Sequence, residues 1–154
     1  MTDHQWYQGD VGEQRSAARP VTLAAWWKRL AALVIDNALL YAATTLVALQ
    51  ASSSATVTDL RVVAELALTF LYFGYLNGVY GQTVGKRLLH IRVVDADTGT
   101  PLGLRRGLAR YGVVALLSLA FVIPVLIDGL WPLRDPRRQS WHDKAVRSLV
   151  IDAA

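Results

Sequence analysis

The sequence predicts an all-α fold: a small polytopic membrane protein with two firm spanning helices, a third apolar segment broken by proline, and a basic interfacial loop. Two runs, Leu30–Leu49 and Leu66–Gly85, reach the roughly 20 residues a helix needs to cross the hydrocarbon layer. The first carries Asp36 as its sole charge, and the second carries none. A third run, Tyr111–Leu133, stays uncharged up to Asp128 and has Pro124 near its middle. With 53% hydrophobic residues and a mean hydropathy of +0.30, the 154-residue chain is too apolar for an ordinary soluble domain.

In chain order, residues 1–19 are polar and aperiodic and are expected to form a disordered tail, with residues 20–151 as the membrane domain and 152–154 as a short end. The first helix enters through Pro20, Trp26, Trp27, Lys28 and Arg29. Cleavable signal peptides have shorter, uncharged cores, so the long lead and Asp36 favour a retained helix. A linker, Ala51–Thr58, precedes a second segment, Leu60–Tyr80, with Arg61 and Glu65 only at its start. Gly74 and Gly78 stand one turn apart, and Gly81 and Gly85 continue the row. Small residues at that interval admit the backbone of another helix, from this chain or from a second copy.

Between residues 82 and 110, Lys86, Arg87, Arg92, Arg105, Arg106 and Arg110 alternate with aliphatic residues. These cations are expected at anionic lipid head groups. Leu89–Asp95 has partial period-two character and meets a turn signal at Asp95–Gly99, while Leu104–Tyr111 reads as a basic amphipathic helix. Pro124 predicts a kink or a re-entrant hairpin. Basic residues collect on the cytoplasmic side of membranes. That rule places the N-terminus and the basic loop on the cytoplasmic side of the inner membrane, and it favours a third segment that returns and keeps the basic tail there over a full crossing that makes the tail an exception to the rule.

An ionised carboxylate at the centre of a spanning helix costs roughly 2.5–3.5 kcal/mol or more, so Asp36 must face protein or water. Two roles are open to it: binding a cation or proton, with Asn37, Asn77 and Asp128 supplying oxygens, or hydrogen bonding that sets helix register. Arg29 lies seven residues away, about 10.5 Å along the axis, too far for a tight pair. The sequence has no cysteine, which removes disulfides and thiolate metal sites. His4, His90 and His142 lack metal-ligand spacing, so no metal or other cofactor is expected. Ser140, His142 and Asp143 are too close in sequence to converge as a catalytic triad, and His142–Asp143 reads as a cap or interface pair. Gly81–Lys86 lacks the length of a phosphate loop. The net charge of +4 sits beside apolar runs, which favours lipid over nucleic acid.

Arg29 with Asp36, then Gly81, Gln82, Thr83, Val84, Gly85, Lys86 and Arg87, then Asp135 through Asp143, resemble the RDD family of bacterial membrane proteins. The resemblance covers about residues 24–151. It implies that Arg29 is the family arginine and Asp36 the first aspartate, with Asp128 or Asp143 as the second. It also implies a role in transport, cation and proton exchange included. The tail departs from the family pattern at Lys144–Leu149. One protomer this small barely encloses a pathway, so transport implies a homo-oligomer or a larger complex. The competing expectation is an accessory subunit docking through the Gly74 and Gly78 face.

Overall fold

The helix α1 (Trp26–Ala48) is 23 residues long and leads, beyond residues 49–54, into α2 (Ala55–Tyr75). The computed structural model describes residues 22–48 and 55–153, so the expected tail and the first half of the linker lie outside the described residues, while the second half of the linker, residues 55–58, is corrected to the first turn of α2. Two segments, Trp26–Val47 and Asp59–Tyr80, are each 22 residues long and apolar enough to cross a membrane. At 1.5 Å per residue each reaches about 33 Å. Just 11% and 22% of their most apolar windows are buried within the protein. A core helix of a soluble protein would be covered, whereas these leave Val34, Tyr41, Leu46, Leu60, Val63 and Leu66 exposed.

One π-helical turn, Leu76–Tyr80, ends α2, and Gly81 closes it with a left-handed φ of 69°. A side chain there would also strike the Val93 carbonyl, so glycine is required twice over at this turn. The short α3 (Val84–Leu88) follows, capped by the Thr83 hydroxyl, which accepts from Lys86 N–H. Strand β1 (Ile91–Asp95) then pairs antiparallel with β2 (Ser148–Asp152), Val93 opposite Val150. Leu23 bridges to Ile151 on the other side of β2. The fold is mostly helical as expected, and this two-stranded sheet is the part that the all-α expectation left out. Period-two character marked one strand, but its partner begins more than 50 residues later in a short tail. A small core of Ala24, Ala32, Ile91, Val93, Leu102, Val146 and Val150 lies around the sheet.

Helix α4 (Leu104–Ala120) is continuous, and so absorbs both the expected interfacial helix and the first half of the third segment. The break falls at Phe121, whose backbone is extended, and α5 (Val122–Leu130) starts directly after it. Pro124 therefore occupies the first turn of α5, where the amide it lacks has no helical partner. Arg110 near the start of α4 and Asp128 near the end of α5 both contact His142, so the chain goes out and comes back. The tip of this hairpin is apolar and bare: Leu119 is 84% and Phe121 80% exposed. A 3₁₀ turn, Trp131–Leu133, and α6 (Trp141–Ala145) complete the chain before β2.

Helices α2 and α4 meet backbone to backbone. A Cβ on Gly107 would lie 2.3 Å from Gly78 Cα, and one on Gly74 would lie 2.6 Å from Leu108. The glycine face of α2 is thus occupied within the chain by α4, not free for another protein. Phe73 and Tyr111 stack across the same contact, with ring centroids 5.2 Å apart.

Candidate functional site

Polar groups collect where α1 starts, α2 ends, α4 starts and α5 ends. Asp143 is the hub: its side chain is 1% exposed and it sits in α6. Its Oδ1 accepts from Arg110 Nε at 3.0 Å and Nη2 at 2.6 Å. Oδ2 accepts from Arg29 Nη1 at 3.2 Å and from the Ser140 hydroxyl at 2.8 Å, and Ser148 adds a bond to Oδ1 at 3.1 Å. Ser140 and Asp143 also form the capping box of α6, so one carboxylate caps a helix and neutralises two arginines.

His142 extends the network. Its Nδ1 lies in hydrogen-bond contact with Asp128 Oδ2, and its backbone N–H donates to Oδ1 at 3.1 Å. Its Nε2 is 2.9 Å from both Arg110 Nη2 and Ser140 Oγ. A neutral ring that donates from Nδ1 to Asp128 offers the Nε2 lone pair to Arg110. Asp128, His142 and Ser140 therefore follow the order of a hydrolytic relay. Yet the lone pair that a general base needs faces a guanidinium, and the Ser140 hydroxyl donates to Asp143.

Burial, helped by Arg110, pushes the His142 imidazole below its ordinary 6.5 against the pull of Asp143 and Asp128. The fold holds His142 neutral where an unfolded chain begins to take up a proton. Its contribution to stability is complete above pH 6.5 and declines as pH falls through that value. Asp143 acts in a lower window. Burial opposes its charge, but the Arg110 and Arg29 guanidiniums outweigh burial and hold the carboxyl far below the ordinary 3.8, so its contribution disappears only in strong acid. The thermal midpoint in detergent should drop between about pH 7 and about pH 5, and the drop should flatten in His142→Gln. An equally steep drop in the variant contradicts the assignment.

Asp36 sits apart from this hub. It is 1% exposed, and its carboxylate accepts from Tyr72 Oη at 2.8 Å, Thr83 Oγ1 at 2.5 Å and Gly85 N–H at 2.7 Å. Asn77 and Asp128 do not reach it; Asp36 ties α1 to α2 and to α3. Gly85 allows this because it packs directly on Ala32, where a Cβ would meet a carbonyl at 2.3 Å.

Three cations expected at lipid head groups point elsewhere. Lys86 turns inward and donates to Asn77 Oδ1. Burial and the nearby Arg110 push its ammonium well below its usual range, against Asp143 and Asp36. Arg110 is held by Asp143, and Arg106 pairs with Asp95 at the turn after β1. Arg87, Arg92 and Arg105 are exposed. The basic stretch thus divides by face, which composition conceals. Sequence reasoning also missed Tyr72, Thr83, Ser148 and Gly107. Of these, Thr83 carried a signal, since a threonine directly before a helical run is a favoured N-cap.

A cleft of about 310 Å³ stands over these groups. Arg29, Lys86, Arg110, Asp36, Asn77, Asp128 and His142 form its floor, and Leu30, Leu33, Val114, Val125 and Leu126 form its walls. No group of three or more metal-ligating side chains occurs among the described residues.

The sequence profile of the RDD family matches residues 23–147, from the bridge beside β2 through α6. The chain belongs to the RDD family. This RDD protein is 32% identical over 92 residues to the proline-rich antigen homolog of Mycobacterium tuberculosis, in the strains CDC 1551 / Oshkosh and ATCC 25618 / H37Rv. That match covers 58% of this chain and 35% of the relative. With the proline-rich antigen of Mycobacterium leprae strain TN it shares 28% identity over 82 residues, 51% of this chain and 30% of the relative. The match spans about a third of the length of these curated relatives. No solved structure matches the chain. Of the two aspartates left open as the second family position, Asp143 meets Arg29 and Asp128 meets His142.

Proposed function

We propose that this RDD protein is a component of transport across the cytoplasmic membrane, acting as a homo-oligomer or within a larger complex and exchanging a proton or cation at the Asp128–His142 pair. The observation that carries this reading is a cleft with apolar walls over a charged floor. Ionisable groups inside a bilayer are costly, and they recur along ion pathways and proton relays. In this reading α1 and α2 cross the inner membrane, the N-terminus, basic loop and tail are cytoplasmic, and the bare tip of α4 and α5 dips into the hydrocarbon without crossing. Asp128 replaces Asp36 as the exchanging acid. The oxygens of Asp36 are filled by fixed donors, whereas Asp128 faces an imidazole that can gain or release a proton.

The test is cation-dependent proton flux into liposomes loaded with a pH-sensitive dye. The native protein should carry flux, Asp128→Asn should abolish it while the protein still inserts, and Asp36→Asn should lower the yield of folded protein. Absence of flux in the native protein, or full flux in Asp128→Asn, overturns the reading. Absent flux leaves an accessory subunit as the second reading, favoured by the broad uncovered flanks of α1 and α2. Its docking surface would then be those flanks and not Gly74 and Gly78, which α4 covers.

A further inference from the structure

We propose that the cleft holds one acyl chain of an anionic phospholipid, with the lipid phosphate paired to Lys86 on the floor and the chain lying between Leu33 of α1 and Leu126 of α5. The proposal goes beyond the transport reading and shares with it the cleft and the bilayer setting, but not the Asp128–His142 exchange.

Charge points to the head group. Arg29, Lys86 and Arg110 line the cleft, as do two carboxylates, Asp36 and Asp128. Both carboxylates are already taken, one by three internal donors and the other by His142. Arg110 is bound to Asp143 behind the floor, and so is Arg29, whose buried Nε has no hydrogen-bond partner among the described residues. Lys86 differs: its hydrogen-bond partner among the described residues is the neutral Asn77 amide, and it forms no ion pair among them. An ammonium withdrawn from water without a direct ion-pair partner is costly, and an arriving phosphate supplies one. Cationic and polar, the floor can take an anion without displacing an existing pair.

The walls point to the tail. Leu33, Val114, Val125 and Leu126 offer no polar group to a water-soluble anion. Leu33 is 48% and Leu126 57% exposed, so the mouth opens along the apolar flank of α1 and α5. A ligand entering there comes sideways from the bilayer. Its charge stops at Lys86, next to the contact of Gly85 with Ala32 of α1, while its tail follows the apolar flank of α1 and α5. The volume lies at the small end of the about 300–1,000 Å³ typical of ligand pockets, which suits one chain and not two.

The probe is phosphatidylglycerol with a pyrene-labelled acyl chain, titrated onto the whole protein in nonionic detergent, beside equally labelled phosphatidylcholine and with inorganic phosphate as competitor. Saturable binding of phosphatidylglycerol, about tenfold tighter than phosphatidylcholine, is expected. Leu126→Trp should weaken it about tenfold by filling the cleft, and because Leu126 is exposed the variant should keep the native thermal midpoint. Lys86→Gln should erase the preference for the anionic lipid, while Leu119→Trp at the bare hairpin tip should bind as the native protein does. The proposal is overturned if the two lipids bind alike to the native protein, if folded Leu126→Trp binds unchanged, or if inorganic phosphate competes as well as the lipid. The last outcome would define a site for a free anion. Binding in detergent needs no gradient, so a failed flux assay leaves this result standing, and the reverse holds too.

Discussion

Asp143→Asn is expected to unfold this protein or deprive it of most of its stability. The substitution keeps the shape and removes the charge shared by Arg29 and Arg110, whose side chains are 13% and 10% exposed. Two guanidiniums would then face each other uncompensated in a low-dielectric setting. Removing one partner of a buried pair costs about 3–5 kcal/mol, and whole domains hold about 5–15 kcal/mol. The α6 capping box and the Ser148 contact weaken with it. The measurement is the thermal midpoint of detergent-solubilised protein, with the double variant Asp143→Asn, Arg110→Gln as comparison. Deleting an arginine as well should recover part of the loss, since the penalty of an unpaired charge is removed. A single variant that melts like the native protein would show that the hub does not hold the helices together.

Gly107→Ala is expected to be among the most damaging single methyl additions at the described residues. The added carbon would sit 2.3 Å from Gly78 Cα and 2.4 Å from the Gly74 carbonyl, both of them backbone that no rotamer change can move. Helices α2 and α4 must therefore separate, at a cost of about 1–3 kcal/mol for overpacking and more if the Phe73–Tyr111 stack is lost. Gly112 on the same helix has nothing within 4 Å of its Cβ position. There alanine should be neutral, or stabilising by up to about 1 kcal/mol through helix propensity. Opposite signs for one substitution on one helix isolate close packing from propensity, and equal thermal midpoints for the two variants would refute it.

The two long helices were legible because bilayer thickness imposes a minimum apolar length, which a linear reading can count. The break before Pro124 was legible for a related reason, although it came at Phe121, because proline is accommodated by starting a new helix ahead of it. Gly74 and Gly78 announced a close contact, but not that Gly107 faces them, since the other glycine of α4, Gly112, is five residues from Gly107 and does not share its helix face. Least visible was the hub. Arg29 and Asp143 are 114 positions apart, and nothing local distinguishes an arginine that pairs inside from one that faces solvent. The same blindness put Lys86, Arg106 and Arg110 on the outer surface: flanking composition reports average polarity, while a helix or strand sorts its residues by angle.

The small sheet has one more consequence. Thr22 accepts from Asp152 N–H and Ala24 donates to Val150, while Lys28 pairs with Asp152 at 2.6 Å. The first and last described turns of the domain are thereby stitched side by side, like the two ends of a loop held in one clasp. Anything joined before residue 22 or after residue 152 leaves from a single point. This makes the domain a portable cassette, one that another polypeptide can carry at either end, or between two of its own parts, without prising the helices apart.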